Sequence, residues 1–106
     1  MAVKSLWIRE EYLELILQGR KTVEVRVGYS NIRRLKPGDE LLLNGVHRFL
    51  IRRVALYPDF DTLLLVEDAQ KIAPDLTGAE LVAAFRQNYP AEKEALGVVA
   101  LEILRA

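Results

Sequence analysis

The sequence predicts an α+β domain, a curved sheet or open β-barrel with helices packed at its ends. Three observations predict it. Residues 22–27 alternate strictly between valine and polar side chains, and 98–104 form an apolar run, both strand patterns. Asn44-Gly45 joins two further strands by a two-residue hairpin, so those strands are antiparallel and a doubly wound parallel sheet is excluded. Helical periodicity fills the intervals that remain. With 106 residues the chain has room for one core, and 1–106 is read as a single domain.

The elements follow in order. Ser5-Leu6-Trp7-Ile8 is short, apolar and aromatic, a first strand. The helix from Glu10 to Gln18 carries a stripe of Tyr12, Leu13, Ile16 and Leu17, and Gly19 stops it. The strand Thr22 to Val27 places Val23, Val25 and Val27 on one face and Thr22, Glu24 and Arg26 on the other. Gly28 to Arg34 reads as a loop. Lys36-Pro37-Gly38-Asp39 fits a type II turn, with Pro second and Gly third. Glu40 to Leu43 and Val46 to Tyr57 flank the hairpin. Beyond Pro58, Leu63, Leu64 and Val66 mark a helix with Asp61 as its cap and Pro74 at its end. Thr77-Gly78-Ala79-Glu80 is a capping box for a helix to Asn88, with Leu81, Val82 and Phe85 inward. Pro90 to Ala95 forms a last helical turn, and Gly97 releases the final strand. Trp7, Tyr12, Phe49, Phe60 and Tyr89 are read as core anchors.

Composition narrows the chemistry. Hydrophobic residues are 51% and charged residues 28%, too apolar for a disordered chain, and no apolar run reaches the roughly 18 residues of a spanning helix. Met1-Ala2-Val3-Lys4 lacks the apolar stretch of a leader, so a cytoplasmic location is expected, away from membranes. The chain has no cysteine, which removes disulfides, thiolate metal sites and a cysteine nucleophile. One histidine, His47, has no second ligand or triad partner and reads as a surface or edge residue. Ser5 and Ser30 are the only serines, and neither sits in a nucleophile elbow. No metal and no cofactor are expected. The net charge is zero, yet residues 1–60 hold 11 basic and 7 acidic side chains while 61–106 hold 4 and 8. The first half can face an anion although the whole is neutral.

The candidate site is Gly19-Arg20-Lys21-Thr22-Val23-Glu24-Val25-Arg26. A charged strand face is ordinarily solvated, and a surface Glu/Arg pair contributes about 0–1 kcal/mol. The alternative is a recognition site: Arg26 as a bidentate fork and Lys21 as a point charge on a phosphate or base carbonyl, Glu24 accepting from an exocyclic amine. Lys21 beside cations and partly buried is also a candidate base or nucleophile.

Gly19-x-Lys21-x-x-Glu24-x-Arg26 resembles the G-x-K-x-x-E-x-R signature of the ASCH domain, a branch of the PUA-like superfamily. The likeness runs through Lys36-Pro37-Gly38-Asp39 to Gly97-Val98-Val99-Ala100-Leu101-Glu102-Ile103 and covers essentially the whole chain. It implies a PUA-like fold, a mixed and mainly antiparallel open β-barrel with flanking helices, and a cleft lined by the signature that binds RNA or a nucleotide-like ligand. Lys21, Thr22, Glu24 and Arg26 are then the expected ligand contacts. Tyr29, directly after Gly28, is placed where a base can stack, and Arg33 and Arg34 where phosphates can be met. Lys36, Arg48, Arg52 and Arg53 are further cations, either solvated or phosphate-facing. Arg48 and Arg52 share strand parity, and Arg53 opposes them.

The resemblance also implies a catalytic alternative with Lys21 and Glu24 at its centre. Some small ASCH proteins are amidohydrolases that deacetylate acetylated cytidine with a lysine, a threonine and a glutamate. Lys21 matches their lysine. Their threonine falls where this chain has Glu24, and Glu67, Asp68 and Asp75 are loose counterparts of their glutamate. Ribonuclease-type RNA processing and a protein-interaction module are the remaining alternatives.

Overall fold

The structure is a computed structural model and describes residues 2–106. Met1, part of the segment read as lacking a leader, lies outside them. The chain runs β1 (Val3–Leu6), α1 (Glu10–Leu17), β2 (Val23–Val27), α2 (Ser30–Arg33), β3 (Glu40–Leu43), β4 (His47–Tyr57), α3 (Phe60–Val66), α4 (Ala69–Ile72), α5 (Gly78–Asn88), α6 (Ala91–Glu94) and β5 (Val98–Arg105). The strands form one sheet in the order β1-β3-β4-β5-β2, antiparallel except for β1 beside β3. The sheet curls into a half-barrel, and its two edge strands approach each other: Arg26 of β2 donates from Nη2 to the carbonyl of Trp7, just beyond β1, at 2.9 Å. The expected α+β architecture is the one observed. Among the described residues no helix is long and apolar enough to cross a membrane.

Local chemistry explains the turns. Asn44 and Gly45 both have positive φ, 51° and 75°, and the Val46 amide closes the turn on the Leu43 carbonyl. Leu43 pairs with His47, however, so three residues lie between the strands where a two-residue hairpin was expected, and β4 begins at His47 rather than Val46. Gly38 at φ 95° and the bond from the Asp39 amide to the Lys36 carbonyl close the type II turn. The Thr77 box is complete, with the Glu80 amide donating to Thr77 Oγ1 and the Thr77 amide to Glu80 Oε1.

β5 is buried on both faces and divides the core. Val99, Leu101 and Ile103 face a cluster containing Leu13 and Ile16 of α1 and Ile32 of α2, while Val98 and Ala100 face Phe60, Leu63, Ile72 and Leu81 of α3 to α5. Val23, Val25 and Val27 join the second cluster, so Glu24 and Arg26 take the opposite side of β2. Arg86 ties α5 in place, reaching Asp61 on α3 and Glu94 on α6.

Several local expectations are corrected. β1 lies two residues earlier than predicted, because β3 pairs with Val3–Leu6 and releases Trp7. Trp7 is not a core anchor but 75% exposed. Part of the predicted loop 28–34 is α2, a single turn whose Ile32 is buried. The helical stretch after Pro58 is two short helices, capped by Asp59 and Asp68; Asp61 instead lies in the first turn and pairs with Arg86. The parity expected of Arg52 and Arg53 is broken by a register shift between Ile51 and Arg53, and both approach Glu102, at 4.0 and 2.6 Å.

Two aromatic residues measure the difference between wall and surface. Phe60 is fully buried and stacks on Phe85 with centroids 4.5 Å apart. Phe60→Ala is expected to lose about 3–5 kcal/mol in urea unfolding. Trp7→Ala, at an exposed site, is expected to change stability by about 0.5 kcal/mol or less.

Candidate functional site

The end of α1 and the start of β2 form the floor of the site. Gly19 adopts φ 79°, and the amides of Arg20 and Lys21 both return to the Leu15 carbonyl, which turns the chain and carries Lys21 inward. Lys21 is 4% exposed. Its Nζ donates to the carbonyls of Val23 at 2.8 Å and Ile72 at 2.7 Å and pairs with Glu24 Oε1 at 3.1 Å. Three donors have three acceptors. Glu24 is 8% exposed, and its second oxygen accepts from Arg26 Nε at 2.8 Å. Arg26 then spends Nη2 on the Trp7 carbonyl and keeps Nη1 without an acceptor among the described residues. The row Lys21–Glu24–Arg26 runs from the interior to the rim, and its outermost member alone has donors to spare.

Above this row lies a cavity of about 360 Å³. Lys21 and Glu24 to Arg26 form one wall, Trp7 to Arg9 and Tyr12 a second, and Leu81, Ala84, Phe85, Gln87 and Asn88 of α5 with Tyr89 just past its end a third. The lining holds three cations, Arg9, Lys21 and Arg26, against one anion, Glu24. Arg9 shares its charge with Glu11 at 3.3 Å in an exposed pair. Burial pushes the Tyr89 phenol up, so it remains a neutral O–H at physiological pH. The cavity therefore combines aromatic faces, side-chain amides from Gln87 and Asn88, and one free guanidinium edge.

Not all the expected residues meet here. Lys21, Glu24 and Arg26 line the cavity together. Thr22 does not: it lines a separate hollow of about 340 Å³ with Arg53, Glu67, Asp68, Lys71 and Glu102. There Arg53 forks onto Glu67 at 2.8 and 2.7 Å, the Tyr57 hydroxyl donates to the same carboxylate, and Arg53 Nε reaches Glu102 at 2.6 Å. The Arg53 hydrogen bonds, opposed by partial burial, hold the Glu67 carboxyl below the usual range. Asp75 pairs with Arg20 on the surface. Tyr29 borders a third hollow beside β1, and the exposed Arg33 donates to the Leu96 carbonyl. Neither Arg33, Arg34, Lys36, Arg48, Arg52 nor Arg53 lines the cavity.

Sequence reasoning missed the α5 wall and one clamp. Gln87 and Asn88 look like ordinary polar residues at a helix end, although the inward stripe of Leu81 and Phe85 points to the face they extend. Asn44, read as a turn residue, also accepts from the Ile8 amide at 2.7 Å and donates to the Ile8 carbonyl at 2.9 Å, holding the Trp7–Arg9 lip.

The ion row has a pH signature. Burial raises the Glu24 carboxyl, but the charges of Lys21 and Arg26 and their hydrogen bonds outweigh it, so its pKa lies below the ordinary 4.5. A carboxylate depressed by folding adds stability above its unfolded pKa and loses that stability as pH falls through the folded one. Glu24→Gln leaves Lys21 without a counter-charge and is expected to cost about 3–5 kcal/mol at neutral pH. In urea unfolding this gap from wild type should narrow as pH falls below about 4.5; a constant gap would contradict the ion row.

Comparison with known proteins agrees with this fold. The chain superposes on the crystal structure of hypothetical protein PH0355 with a TM-score of 0.92 and 32% identity, covering 100% of both chains. It matches the solution structure of protein PF0455 from Pyrococcus furiosus with a TM-score of 0.81 and 30% identity, over 97% of this chain and 96% of that one. No curated protein matches its sequence. The ASCH domain model matches residues 6–105, and the chain belongs to the ASCH domain family.

Proposed function

We propose that this ASCH domain binds RNA or a nucleotide-like ligand by taking one base into the cavity between β2, α5 and the Trp7–Arg9 lip. The observation that carries the reading is the free Arg26 Nη1 edge at the wall of a cavity lined by Tyr12, Phe85 and Tyr89. Small-ligand sites run to roughly 300–1,000 Å³, so a cavity of about 360 Å³ is suited to a base with its sugar and not to a duplex. Aromatic faces stack on any base, while Gln87, Asn88 and the Tyr89 hydroxyl offer the donors and acceptors that tell base edges apart. The surplus of cations favours a phosphate at the rim. In this reading Lys21 and Glu24 are positioning residues that aim Arg26, because all three Lys21 donors are taken and each Glu24 oxygen is already bound to a cation of the row.

The amidohydrolase alternative has less support. Glu24 occupies the place three residues after Lys21 and carries no hydroxyl, and Thr22 lines the other hollow with Glu67. No threonine lies beside Lys21 in the cavity lining.

Trp7 is the only tryptophan and stands at the lip, so its fluorescence reports on the site. Titrating short single-stranded RNA into the protein should change that emission, with binding that weakens as salt rises. Arg26→Ala should lower affinity by about tenfold, equivalent to about 1.4 kcal/mol. Asn88→Ala, at an exposed helix end, should weaken binding with the fold intact. Undiminished affinity in both variants would refute this assignment of the cavity.

A further inference from the structure

The cavity does not end at Arg26. On the other side of the Arg26–Trp7 bond lies a hollow of about 240 Å³, lined by Lys4, Ser5 and Leu6 of β1, Val27 of β2, and Tyr29, Asn31 and Ile32 of the α2 segment. Trp7, Arg26 and Tyr89 line both spaces. The hollow exists because β1 and β2 are the two edges of a curled sheet that does not close, so the seam between them is crossed by a side chain in place of a ladder.

Its chemistry differs from that of the cavity in a useful way. The cavity is walled by aromatics from α1 and α5; besides the shared Trp7 and Tyr89 the seam has one aromatic of its own, Tyr29, 41% exposed, together with small polar groups and Lys4. The Lys93 ammonium stands 5.4 Å from the Tyr29 ring centroid and adds a second positive charge nearby. Between the two spaces stand a guanidinium with free donors and the exposed indole of Trp7. A cation between two aromatic-lined hollows matches the repeat of a nucleic-acid strand, base–phosphate–base.

We propose that the β1–β2 seam is a second subsite, which takes the nucleotide adjoining the one in the cavity. The linking phosphodiester lies on Arg26, Tyr29 stacks the second base, and Lys4 meets its outer phosphate. The inference rests on the cavity reading and deepens it: the ligand is a single strand of at least two linked ribonucleotides, not a free nucleoside.

The test compares a ribonucleoside monophosphate with a phosphorylated diribonucleotide and a tetraribonucleotide, using Trp7 emission and, independently, calorimetry. One stacked base contributes about 1–3 kcal/mol, so the dinucleotide should bind at least about fivefold tighter than the mononucleotide. Lys4→Ala and Tyr29→Ala should each remove part of that gain, and their loss should disappear when the ligand is shortened to one nucleotide. Equal affinity for one and two nucleotides, with both variants matching wild type, would overturn the seam subsite and leave the cavity reading intact. No binding of any of the three ligands would overturn both. Binding of the longer ligands alone, lost in Arg26→Ala and weakened in Tyr29→Ala, would support the seam and show that one unit by itself binds too weakly to be seen.

Discussion

A buried ammonium sets the terms for the rest of this molecule. Lys21 sits at the junction of α1, β2 and α4, and taking a charge out of water there is costly unless every donor is met and a counter-charge is close. The protein meets all three donors with two carbonyls and one carboxylate. Those acceptors come from two places in the chain, adjacent residues of β2 and the end of α4, and the Ile72 carbonyl is 51 residues away. The lysine therefore does what a hydrophobic residue cannot: it fixes two backbone segments against its own turn at once.

The signature of the family acquires a physical reading from this arrangement. Glu24 balances Lys21 and has one oxygen left, which orients Arg26; Arg26 in turn is free on one edge only. Charge is handed outward along the row until a single unsatisfied guanidinium edge remains at the wall of a cavity. A chain with zero net charge still presents a local positive excess in the cavity lining, three cations against one anion. The Arg53–Glu67–Tyr57 cluster is a contrasting case, in which fork and carboxylate satisfy one another.

What could be read in advance follows from the range of each signal. The Asn44-Gly45 hairpin, the Lys36–Asp39 turn and the Thr77 capping box are contained within four residues each, and all three were legible. So was the composition of the site floor, because Lys21, Glu24 and Arg26 share one turn and one strand. Burial of that strand's charged side was not legible: alternation marks two faces, and nothing local says that α5 covers the second. Thr22 lies apart from Glu24 and Arg26 for a related reason: it precedes β2, where strand parity does not apply, and its backbone is held by α4 on one side and β5 on the other. Trp7 reads as core in any apolar run; the parallel register of β1 with β3 leaves it outside. The α5 wall was invisible because Gln87 and Asn88 have the composition of a solvent-facing helix end.

Asn44 has a consequence that reaches beyond the hairpin. Its amide group both gives to and receives from the main chain of Ile8, a pairing that a carboxylate or an alkyl side chain cannot reproduce. The lip of the cavity is thereby splinted to a bend on the opposite hairpin, 36 positions further along the chain. Lengthening or shortening that bend would re-aim the lip while leaving every wall residue in place, so the shape of the cavity's mouth depends on a turn that does not line it.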